Sequence, residues 1–147
     1  MNGSTIIMTA GDAARAIQLN LLVAWIWILL GFLSGAVLGT QFHREDWLGG
    51  YGSFKRRLYR LGHISFLGLA AMNLLFYFTA QSAPLEPATV LWASRGFIVG
   101  AFTMPVCCAV MAHFPKAHYV FAVPVVSLVA ASALTICGII QTMMEAV

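Results

Sequence analysis

AIQLNLLVAWIWILLGFLSGAVLGTQF, residues 16–42, contains no Asp, Glu, Lys or Arg. A helix needs about 20 mostly apolar residues to cross the hydrocarbon of a bilayer. This run is long enough to span one, and too long for the hydrophobic segment of a cleavable signal peptide. The residues before it carry Asp12 in place of a basic leader, so the first span is expected to stay in the mature protein.

Three more stretches read the same way: 61–83, 87–112 with one internal arginine, and 119–144. Of the 147 residues 61% are hydrophobic and only 9% charged, which leaves little chain for a soluble domain. The expected fold is all-α: one integral membrane domain over residues 1–147, a multi-pass four-helix transmembrane bundle. A bacterial inner membrane, or its equivalent, is the expected location.

Between the first two spans lies HREDWLGGYGSFKRRLYR, 43–60, in which helix-breaking glycines separate Arg44 from Lys55, Arg56, Arg57 and Arg60. Lys116, between spans three and four, falls on the same side, so six of the eight Lys and Arg residues share one face. An excess of Lys and Arg marks the cytoplasmic loops of membrane proteins, which puts this face inside and both termini outside. The net charge of +3 thus belongs to a membrane-flanking loop and predicts no nucleic-acid partner. Trp47, Tyr51, Tyr59 and Trp92 suit the interfacial level where amphipathic rings settle.

Gly31, Gly35 and Gly39 recur at four-residue spacing in span one. Small residues at that spacing let a second backbone approach closely, so they predict a helix-packing face, within the bundle or against a partner subunit. Asn73, inside span two, is costly unless paired and is expected to bond across a helix interface. Pro105 and Pro124 are expected to kink their spans, with Ser127 available to a freed carbonyl.

The four histidines gather at one face: His43 ends span one, His63 opens span two, His113 ends span three and His118 opens span four. A b-type haem takes two axial imidazoles from neighbouring helices. His63 with His118 is the preferred pair, with His113 and His43 as alternates. Against this, histidines within a turn or two of a span end reach water and headgroups at small cost. Asn73 stands about 80° around the helix from His63, so the two should not meet one small ligand.

Arg95 lies about two turns into span three and is expected to find protein, water or a headgroup, Glu86 and Glu145 being candidate partners, or to snorkel outward. With Phe102, Val106, Ala109 and His113 it forms one helical stripe, which its polar members suggest faces inward. Another stripe carries Met104, Cys107, Cys108 and Met111, whose thiols and thioethers are the donors that select copper(I). The same residues are also ordinary fillers of apolar cores. Adjacent Cys107 and Cys108, with Cys137 on another span, predict no disulfide framework, and the lack of C-x-x-C-H excludes covalent haem attachment on the ordinary pattern.

No Ser-His-Asp set, H-E-x-x-H, Walker loop or dinucleotide fingerprint occurs, and no carboxylate lies deep in a span. The leading expectation is a non-catalytic accessory or scaffold subunit of a larger membrane complex, in contact with lipid and other membrane subunits and concerned with respiration or electron transfer. A haem b electron carrier or quinone-interacting subunit is the alternative, and copper handling comes third.

Overall fold

The computed structural model describes residues 9–145. They form four long helices: α1 (Ala10–Thr40), α2 (Phe54–Ser82), α3 (Pro87–His113) and α4 (Ala122–Glu145). Each is long and apolar enough to cross a membrane, the last together with the 3₁₀ segment Pro115–Phe121 before it.

Two helices begin earlier than the apolar runs suggest. α1 starts at Ala10, not residue 16, because Thr9 and Asp12 close a capping box in which the Thr9 hydroxyl oxygen accepts from the Asp12 amide at 3.2 Å. α2 starts at Phe54, not residue 61, because the Ser53 hydroxyl oxygen accepts from the Arg56 amide at 3.1 Å. Charges end an apolar run without ending a helix, since Lys and Arg are good helix formers. The basic cluster of the first connection is therefore helical, and it occupies the first two turns of α2. At 1.5 Å per residue the 31-residue α1 is roughly 46 Å long, more than the about 30 Å of hydrocarbon that a crossing helix has to span.

α1, α2 and α3 pack on one another, whereas α4 packs its backbone on α3 and the preceding 3₁₀ segment alone. The arrangement is a three-helix unit with a fourth helix on its flank, not an evenly closed square of four. Alanines sit at the closest approaches: Ala24, Ala70, Ala93 and Ala101 are completely buried. One core cluster joins Val23, Trp27, Leu69, Ala70 and Ala101; a second joins Phe76, Val90, Ala93, Phe97 and Ala131.

Pro105 interrupts α3, and the consequence is a bond rather than a loose turn. Proline has no N–H to give to the carbonyl four residues back. That carbonyl, Ala101, accepts instead from the Trp27 indole at 3.1 Å. Pro124 differs from expectation: it stands in the first turn of α4, where a missing N–H costs nothing, and it is buried without breaking a helix. The Ser127 hydroxyl does donate to its carbonyl, at 3.0 Å.

The α3–α4 seam is built on glycines. A Cβ on Gly96 would lie 2.8 Å from that of Ala131 and 2.9 Å from the Ser127 carbonyl oxygen, and one on Gly100 would collide with Leu128. α4 buries only Pro124, Ala131 and Gly138, seven residues apart, and leaves most of its apolar surface uncovered. Between α4 and α2 an open cleft of about 200 Å³ is lined by Met72, Phe76, Ile136 and Ile139, among others.

Candidate functional site

Three buried polar side chains tie α1, α2 and α3 together toward the end where α1 begins and α4 ends. The Asn20 amide donates to Asn73 Oδ1 at 2.8 Å, Asn73 donates to the Leu69 carbonyl at 2.8 Å, and the Ser94 hydroxyl reaches Asn20 Oδ1. Asn20, Asn73 and Ser94 are at most 1% exposed. Every buried side-chain nitrogen and oxygen among the described residues has a partner. Asn73 is helix-to-helix glue; Asn20 and Ser94 complete the network, and Asn20, an amide in the charge-free run 16–42, carries the same sequence signal as Asn73.

The opposite end, where the α1–α2 and α3–α4 connections lie, holds the chamber. Half-buried His63 sits there between two cavities. The larger, about 380 Å³, runs among α1, α2 and α3 and is walled by Ser34, Leu58, Tyr59, Phe66, Pro105 and Cys108, among others. The smaller, about 260 Å³, lies between α1 and the start of α2 under Trp47 and is bordered by Arg56 and Arg60.

Hydrogen bonding orients the His63 ring. Its Nδ1 lies 3.0 Å from Ser34 Oγ, and the Ser34 hydroxyl lies 3.0 Å from the Gly31 carbonyl. A hydroxyl has one proton. If Ser34 gives it to Gly31, Nδ1 carries the proton donated to Ser34, and in the neutral ring Nε2 is then the acceptor. Room for the ring comes from Gly35, where a Cβ would stand 2.8 Å from His63 Cε1. Of the glycine face, Gly31 packs on Leu67 and Phe66 and Gly35 on His63, while a Cβ on Gly39 would meet nothing within 4 Å. The face is two glycines long, and one of them serves the histidine.

The remaining histidines are not on either cavity. His43 is exposed in the turn after α1, and His118 is exposed on the 3₁₀ segment, which packs on α3 and α4 and not on α2. His113 is exposed at the end of α3, with Nε2 2.9 Å from the Tyr59 hydroxyl. His63 is thus the one imidazole these two cavities present.

The sulfur stripe also separates. Cys107 lies 3.3 Å from the Val120 carbonyl, toward the 3₁₀ segment, while Cys108 turns to α2, where a Cβ on Gly62 would stand 3.4 Å from its own. Met104 packs against the Trp27 cluster, and Met111 is half-buried near the end of α3. Adjacent helical residues point about 100° apart, so the two thiols serve different interfaces. Among the described residues no group of three His, Cys, Asp or Glu side chains could hold a metal.

Arg95 overturns the inward reading of its stripe. Arg95, Phe102, Val106, Ala109 and His113 are all exposed, and the buried side of α3 is instead Val90, Ala93, Ser94, Phe97, Gly100, Ala101, Cys107, Cys108 and Ala112. Small and hydroxylic residues won the interior because they permit close approach. The Arg95 guanidinium lies 5.0 Å over the Trp92 ring, one turn back.

No known family model matches the chain, and neither the curated proteins nor the solved structures yield a match.

Proposed function

We propose that this chain is a multi-pass integral membrane protein, with the arginine-rich end in the cytoplasm and both termini outside. Its role is that of a non-catalytic accessory or scaffold subunit in a larger complex of the respiratory or electron-transfer kind, in a bacterial inner membrane or its equivalent. The observation that carries the reading is α4, a helix whose backbone packs on α3 and the 3₁₀ segment alone and which an apolar cleft borders. Its exposed Val126, Val129, Ile136 and Ile140 offer shape and apolar surface to a further transmembrane helix; in lipid such association rests on packing, not on the hydrophobic effect. Co-purification after mild solubilisation tests it. Discrete, stoichiometric membrane partners are expected; a stable isolated monomer with its own turnover would contradict it.

A second reading is favoured by the orientation of His63. With Nδ1 committed to Ser34, Nε2 of the neutral ring is left as an acceptor for a quinol hydroxyl, and the larger cavity that His63 lines has apolar walls that suit a ring and the start of a tail. A haem b asks for a second imidazole, so the quinone-interacting form of this alternative fits the chamber better than the haem form.

A further inference from the structure

Arg56 is 4% exposed, yet the one hydrogen bond recorded for its side-chain N–H groups is a 3.4 Å contact from one terminal nitrogen to the Arg44 carbonyl. A guanidinium carries five N–H donors and cannot shed its charge. No buried side-chain nitrogen among the described residues is sealed away without a partner, so its other donors keep access to solvent, and the residue lines the 260 Å³ cavity. Arg60 lines the same cavity and makes one 3.4 Å bond to the Tyr51 carbonyl. Aromatic rings hold both cations in place: Arg56 lies 5.6 Å from the Trp47 ring and 5.2 Å from Tyr51, and Arg60 lies 4.4 Å from Tyr51.

The turn that carries those rings is made for the purpose. Leu48, Gly49 and Gly50 all have positive φ, and the Ser53 hydroxyl donates to the Leu48 carbonyl at 2.7 Å. A left-handed leucine is costly, and here it folds Trp47 back over α2. No carboxylate lines the cavity; Glu45 and Asp46 are exposed in the connection. Two cations, a planar fork geometry and an apolar floor of Phe42 and Gly35 suit one chemical class.

We propose that this cavity binds a phosphate-bearing anion, its oxygens held by Arg56 and Arg60 and the remainder of the molecule lying along the α1–α2 groove. The chemistry is shared by a phospholipid headgroup and a free phosphate, and it stands apart from the subunit reading. The test uses the full chain in an uncharged detergent, titrated with short-chain phosphatidylglycerol, phosphatidylcholine of the same tails, and inorganic phosphate. Phosphatidylglycerol is expected to bind at least about tenfold tighter than phosphatidylcholine, and Arg60→Gln to weaken it about tenfold, the scale of a charge-assisted contact. Arg56→Gln should do the same where it folds; Arg57→Gln, an exposed neighbour off the cavity, should change little. Competition by millimolar inorganic phosphate would assign the site to a soluble phosphate; its absence assigns it to the lipid. Equal binding of both lipids with no phosphate binding, or equal losses in Arg57→Gln and Arg60→Gln, would overturn the proposal.

Discussion

The Trp27 indole N–H donates to the Ala101 carbonyl oxygen at 3.1 Å, the acceptor that Pro105 deprives of its helical donor. One broken rung in α3 thereby becomes a cross-link to α1. Trp27→Phe is expected to destabilise the protein by about 1–3 kcal/mol, the cost of an unpaired buried carbonyl plus lost area. In Pro105→Ala the helix can supply its own N–H, so the double variant should lose less than the sum, by at least about 0.5 kcal/mol. Thermal denaturation in detergent measures the cycle, and strict additivity would show that the two residues are not linked this way.

The Asn20, Asn73 and Ser94 network predicts an order of severity. Asn20→Leu strands partners on two helices and should cost the most, Asn73→Leu less, and Ser94→Ala least. Individual polar contacts between membrane helices are worth about 0.6–2 kcal/mol. Equal effects from all three substitutions would contradict the order read from their partners.

Gly39→Ala is expected to be neutral or to stabilise by up to about 1 kcal/mol, since its Cβ meets nothing and alanine is the better helix former. Gly35→Ala should push His63 from its place and weaken binding in the adjoining cavities, with little effect on α4. Gly100→Leu should instead loosen α4, read as faster proteolysis of the Pro115–Phe121 connection. The reverse assignment of these phenotypes would contradict the two glycine seams.

His63 also makes a spectroscopic prediction. A reduced-minus-oxidised spectrum of the purified chain is expected to show no haem α-band, because the chamber presents one imidazole. A band abolished by both His63→Ala and His118→Ala would establish the ligand pair and overturn the quinol preference.

Much of this fold is legible in charge spacing alone: where Asp, Glu, Lys and Arg are missing for about 20 residues, a long helix lies. Asn73 is legible too, because an amide inside an apolar helix must find a partner. What stays hidden depends on which faces meet. Arg95 and His113 share a helical phase but point outward, because alanine, serine and glycine on the other side allow a closer fit. Gly96 and Gly100 repeat the four-residue spacing of Gly31 and Gly35, but Gly96 follows Arg95, and a charge beside a small residue does not mark a packing face. The anion cavity is illegible for a different reason: Arg56 reads as a solvated loop cation until Ser53 starts the helix and the left-handed Leu48 turn buries it.

The proposed role turns on α4 meeting another membrane subunit. Site-specific photocross-linking in native membranes tests it most directly, with the reactive group placed at Ile136 on the exposed side of α4 and, as a control, at buried Ala131. Discrete adducts of higher mass from Ile136, absent from Ala131, are the predicted result. Lipid adducts alone at Ile136, on a chain of monomer mass, would contradict the account.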